Sequence, residues 1–141
     1  MEKIRSVMVV DDYEPDARYA ALMLERSGRF GHVMHVRGAE EALELYEGYT
    51  EARKKDPNAF PPLVMLLDIN MPRMNGFEFL QAYRSLLPSL PDEARTSIVM
   101  MLSSSMSEAD RARAQAFDVV HDFVTKPLTV EKAHAIADSI T

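Results

Sequence analysis

Three unbroken apolar runs stand out along the chain: Val7-Met-Val-Val10, Leu63-Val-Met-Leu-Leu67 and Ile98-Val-Met-Met-Leu102. Each ends in polar residues, namely Asp11-Asp12, Asp68 and Ser103-Ser104-Ser105. Short runs without polar alternation suit strands buried on both faces, as a parallel sheet requires. Two weaker strands are expected over residues 32–36 and 122–125, the second running into Lys126-Pro127.

Helical spacing fills the intervals. Pro15 opens a helix where its missing N–H costs nothing, Ala17, Ala21 and Leu24 give it an apolar face, and Gly28 is a plausible stop. Gly38 leads into a helix carrying Ala39, Ala42, Leu43 and Tyr46. Phe77, Leu80 and Leu87 mark the next, closed by Pro88 and Pro91. Ala109, Ala112 and Ala116 form the seam of another, and Val130, Ala133, Ala137 and Ile140 the face of the last. Residues 50–62 dissolve into charge and then prolines, the end of a helix followed by a loop, and the charged stretch 47–56 reads as a solvated helix face. The pattern predicts an α/β fold of five βα units, with right-handed crossovers placing helices on both faces of one parallel sheet.

Composition narrows the reading. A chain of 141 residues, 47% apolar and 27% charged, suits a single domain with its own core, read as residues 1–141 with no output domain. Acids outnumber bases 22 to 16, which argues against nucleic acid or an anionic membrane as a direct partner. The absence of cysteine excludes disulfides, thiolate catalysis and zinc–sulfur sites. The first apolar run is too short for a signal-peptide core or a membrane span, so the expected location is the cytoplasm. The ten methionines cluster on or beside strands and read as core packing, with Met71 and Met74 at the rim of a loop. His32, His35, His121 and His134 show no ligand spacing and read as structural or surface residues.

The polar strand ends carry the chemistry, because open α/β sheets bind ligands beyond the carboxyl ends of their strands. If the first and third strands are neighbours, Asp11, Asp12 and Asp68 converge. Carboxylates that close raise one another's pKa, and a hard divalent cation such as Mg2+ relieves the conflict. Singly, the acids could be a helix cap, Lys126 a solvated side chain and Ser103 part of an ordinary turn. Together they supply charge neutralisation and positioning for a phosphoryl anion.

The segment Asp68-Ile-Asn-Met-Pro-Arg-Met-Asn-Gly76, with Asp11-Asp12, Ser103 and Lys126-Pro127 in order around it, resembles the receiver domains of bacterial response regulators, the stand-alone chemotaxis type included. The resemblance implies the flavodoxin-like strand order 2-1-3-4-5. It implies that Asp68 accepts phosphate from the phosphohistidine of a sensor histidine kinase or histidine phosphotransfer protein. By the same resemblance, Mg2+ is held by Asp12 directly, by Asp11 through water, by Asp68 and by the backbone carbonyl of Asn70. Ser103 matches the switch hydroxyl, Lys126 pairs with a phosphoryl oxygen across a cis bond to Pro127, and Phe123 occupies the switch-aromatic position. Asn70 and Ser105 flank the path of the attacking water. The implied output is a contact with a downstream protein, made by a monomer or weak homodimer.

The sequence departs from the commonest pattern in places. The connections 50–62 and 87–97 are longer, as in a group of stand-alone bacterial receivers. One extra residue separates Ser103 from Lys126, which leaves Ser104 open as the hydroxyl. Two other functions compete: a receiver fold docking without phosphate, and a magnesium-dependent aspartyl phosphatase. The phosphatase needs a general acid two residues after its nucleophile, and here Asn70 stands in that place.

Overall fold

The computed structural model describes residues 3–104 and 106–141, and of Thr96 the backbone alone. Strands β1 (Ile4–Val10), β2 (Phe30–Val36), β3 (Val64–Asp68), β4 (Ile98–Ser103) and β5 (Val120–Thr125) form one sheet in the order β2-β1-β3-β4-β5, with every pairing parallel. This is the expected doubly wound arrangement.

The central strands show why they carry no polar alternation. Met8, Val10, Met65, Leu67, Val99 and Met101 pack on one side of the sheet, and Val7, Val9, Val64, Leu66, Met100 and Leu102 on the other. The second side is covered by α1 (Glu14–Ser27) and α6 (Val130–Ile140) through Ala17, Ala20, Leu24, Ala133, Ile136 and Ala137. The first is covered by α2 (Ala39–Glu47), α4 (Gly76–Leu86) and α5 (Glu108–Gln115). The α1 terminus follows the sequence closely: Pro lies in its first turn, and Gly28 closes it in the left-handed region at φ 69°.

Three expectations need correction. The helix after β2 gives way to a loop from Asp56, as expected, but it is not continuous. It breaks at Gly48 and resumes as α3 (Tyr49–Lys55), anchored by buried Tyr49, with Arg53, Lys54 and Lys55 at its carboxyl end where the helix dipole favours cations. The alanine seam expected on α5 is exposed at Ala109, Ala112 and Ala116; the buried residues are Ala114 and, past the helix, Phe117. Alanine gains little by burial, so the helix turns instead to bury Phe117 and to lay Arg113 over Phe77 and Arg111 over Phe123. Met71 is buried in the core, not at the rim, and Met74 is half-buried against that core.

The two long connections meet at the end of the sheet opposite the polar strand ends. After α4 the chain continues through short 3-10 helices, Leu87–Ser89 and Asp92–Thr96. Tyr46 lies 5.0 Å from the rings of both Phe60 and Tyr83, and Tyr83 donates to the Ala94 carbonyl at 3.3 Å. Arg53 pairs with Glu93 at 3.5 Å, and the Ser97 hydroxyl donates to the Pro62 carbonyl. The extra length therefore builds an aromatic base under the sheet and leaves the site edge open.

Candidate functional site

Asp68 ends β3, the central strand, and Asp11 follows β1, its neighbour. That adjacency brings carboxylate oxygens of Asp11, Asp12 and Asp68 within 4.8 Å of one another. Asp11 and Asp68 are buried while Asp12 faces solvent. Asp11 is fixed from several directions. Its Oδ1 accepts the Tyr13 N–H at 3.0 Å, its Oδ2 accepts from Lys126 Nζ at 2.9 Å, and its backbone carbonyl meets His35 Nε2 at 3.0 Å. Asp11 does not cap α1, whose N-cap residue is Tyr13 with no side-chain cap; its Oδ1 instead closes a turn ahead of the helix while its other oxygen serves the site.

Lys126 follows β5 across a cis bond to Pro127, as the resemblance implied. Its ammonium lies 2.9 Å from Asp11, 3.1 Å from Asp16 and 3.3 Å from Asp68. Burial pushes the Asp68 carboxyl up to about 6, the charge of Asp11 adds to the rise, and Lys126 opposes it. For Lys126, burial works against the charged form, but its hydrogen bond to Asp11 and the charges of Asp68 and Asp11 outweigh that and hold the ammonium above its ordinary value. The site is therefore a desolvated carboxylate, crowded by a second acid and braced by one cation.

Ser103 is buried at the end of β4 and Ser104 is exposed. Strands β4 and β5 pair Val99 with Val120 but Met100 with Asp122, a bulge that leaves His121 out of the ladder. Beyond it, Met101 pairs with Phe123 and Ser103 with Thr125, so the strand ends stay level. Ser103 and half-buried Phe123 line one cleft of about 230 Å3, with Arg111 set 5.0 Å over the ring. Ser104 instead faces a larger cleft between α1 and the turn after β5, beside Asp16, Tyr19 and Lys126.

Asn70 is exposed in the loop that follows Asp68, and Ser105 lies outside the described residues. The loop closes where the Gly76 N–H donates to the Ile69 carbonyl at 2.9 Å. A β-carbon at Gly76 would stand 2.7 Å from the Asp68 carbonyl oxygen, so only glycine fits there. Asn75 then caps α4 reciprocally with Glu78.

Two residues at the site were not read from the sequence. Asp16, in the first turn of α1, pairs with Lys126 at 3.1 Å, a contact that no local sequence signal marks. Lys132 donates to the carbonyls of Thr125 and Pro127 at 2.7 and 3.0 Å and holds the turn that carries Lys126. No sequence signal marks that contact.

The family model for the response regulator receiver domain matches residues 7–138. The chain belongs to that family. It is 32% identical over 127 residues to the two-component response regulator ORR1 of Oryza sativa, covering 89% of this chain and 50% of that protein. It thus spans about half the length of the curated relatives first matched. A two-component response regulator from Cytophaga hutchinsonii superposes with a TM-score of 0.80 at 29% identity, covering 98% of this chain and 97% of the other. The chemotaxis protein CheY4 of Vibrio cholerae, at 22% identity, 98% and 99% coverage and a TM-score of 0.71, shares the fold. Receivers are signalling domains of two-component systems that take phosphoryl groups from histidine kinases or phosphotransfer proteins. Among the described residues, no helix is long and apolar enough to cross a membrane.

Proposed function

We propose that this receiver accepts a phosphoryl group on Asp68 and acts as a switch read by a protein partner. The observation that carries the reading is the setting of Asp68, between the acids of Asp11 and Asp12 on one side and Lys126 at 3.3 Å on the other. With its carboxyl at about 6, Asp68 is mostly ionised at neutral pH and stripped of much of its water, as a nucleophile should be. Its oxygen forms the new P–O bond as the P–N bond of a phosphohistidine breaks, the imidazole leaving with the electron pair and taking up a proton. Lys126 balances the incoming phosphoryl charge.

The donor set fits a magnesium ion. Carboxylates of Asp11, Asp12 and Asp68 converge within 4.8 Å, and Lys126 is the one cation set against them and Asp16 among the contacts above. Asp12 and Asp68 would hold the ion, with Asp11 acting through water and the Asn70 carbonyl completing the set. When bound, magnesium supplies neutralisation of the phosphoryl oxygens during transfer. Asn70 in place of a general acid favours retention of phosphate as a signal over fast turnover.

Ser103, buried at the end of β4 and paired with Thr125, is taken as the hydroxyl that turns toward the phosphoryl group; Ser104 is exposed on the cleft that also holds Lys126 and Asp16. Phe123 shares the cleft of Ser103, so movement of one changes the space open to the other. The face made by α5, β5 and α6 then carries the output.

The test is incubation with acetyl phosphate and Mg2+, followed by intact mass measurement. One acid-labile phosphoryl adduct is expected, absent in Asp68→Ala. Failure of the wild type to gain an adduct would leave phosphate-independent docking as the better reading.

A further inference from the structure

We infer that Asp16 is a positioning residue for phosphoryl transfer, anchoring the Lys126 ammonium at the mouth of the site through the phosphorylation cycle. The inference rests on the proposed acceptor role of Asp68. The Lys126 ammonium donates to Asp11 at 2.9 Å and to Asp16 at 3.1 Å, with Asp68 at 3.3 Å as its third neighbour. An ammonium has three N–H groups, so each of these carboxylates can take one. The three partners do not have the same fate. In the proposed reaction Asp68 becomes an acyl phosphate, and Asp11 belongs to the acidic group that would hold a cation. Asp16 stands outside that group and keeps both its charge and its place.

That place is rigid. Asp16 sits in the first turn of α1, where the helix dipole favours an acid, and the next residue, Ala17, is fully buried against the sheet. The lysine stem is flexible, and its side chain is only 14% exposed. Tied at Asp16, the ammonium needs only to exchange its Asp68 neighbour for a phosphoryl oxygen. Untied, it must be ordered again at each transfer.

A plain helix-end acid would also be favoured at position 16, and Glu14 supplies the control. Glu14 lies in the same first turn but pairs with Arg18 at 2.9 Å, away from Lys126. The experiment measures the acetyl phosphate rate by mass spectrometry at saturating Mg2+ for the wild type, Asp16→Ala, Asp16→Asn, Asp16→Glu and Glu14→Ala. The Lys126 ammonium resonance is followed in each by 15N NMR, assigned through its loss in Lys126→Arg. Removing the anchor is expected to slow phosphorylation about fivefold in the Ala and Asn variants, with partial recovery in Glu. Their ammonium signal should be exchange-broadened, while Glu14→Ala matches the wild type in both readouts. Wild-type rates and an unaltered ammonium signal in Asp16→Ala would overturn the inference, as would an equal loss of rate in Glu14→Ala. If the wild type takes no phosphate, the acceptor reading falls, and the ammonium signal still decides whether Asp16 anchors the lysine.

Discussion

Replacing Asp68 by Asn should make the protein more stable at neutral pH, and the size of the gain follows from the site. Burial, with the charge of Asp11 second, lifts the Asp68 carboxyl from 3.8 to about 6 even after the opposing pull of Lys126. At 1.36 kcal/mol per pKa unit, ionising that group in the folded protein costs about 3 kcal/mol relative to the unfolded chain. An acid with a raised folded value binds its proton more tightly when folded. Its penalty is therefore absent below about 4, grows as pH rises, and is complete above about 6. Asparagine has nearly the shape of the protonated acid and carries no such penalty. In urea unfolding near neutral pH, Asp68→Asn should raise the midpoint by about 1.5 M for a slope of about 2 kcal/mol/M, and near pH 4 the two curves should nearly coincide. Mg2+ should narrow the neutral-pH gap from the other side by stabilising the wild type more than the variant. A stability gain that is the same at both pH values, or none at neutral pH, would refute the claim that crowded charge is what strains this site.

Gly76→Ala should cost about 1–3 kcal/mol on thermal unfolding, because the new β-carbon meets the Asp68 carbonyl oxygen at 2.7 Å and the displaced backbone carries the acceptor itself. Slower acetyl phosphate labelling should accompany the lower melting temperature. Ser103→Ala and Ser104→Ala should separate the two hydroxyls. Phosphorylation-induced changes in the Phe123 ring resonances are expected to be lost in Ser103→Ala and kept in Ser104→Ala, consistent with the cleft that only Ser103 shares with Phe123. Tyr83→Ala should cost about 3–5 kcal/mol, since it removes a fully buried ring packed on Tyr46 and Phe79, yet leave the magnesium-dependent melting shift intact, because the aromatic base lies at the other end of the sheet.

Much of this protein is legible one residue at a time. The central strands are buried on both faces, so their apolar runs leave no ambiguity, and the acids, serine and lysine that end them are read off as soon as the strands are. Pro15 and Gly28 mark a helix because their backbone preferences are local. The alanines of α5 misled because period alone does not say which face a short helix buries. Phe117 and the arginine–aromatic contacts decided that, and they exist only once α4 and β5 are in place. The burial of Met71 was decided in the same way, by the core it packs into.

At the site, residue type and order along the chain were enough to nominate Asp11, Asp12, Asp68, Ser103 and Lys126. The pairing of Ser103 with Thr125 was not local, because it depends on a bulge at His121 in the β4–β5 ladder. Asp16 became part of the site only through the fold. A lysine 110 residues away along the chain reaches it because the sheet and α1 bring the two together. The sequence by itself determined which groups are present and which strands deliver them. Tertiary structure alone decided which of those groups touch, since contact depends on register and packing between segments far apart in the chain.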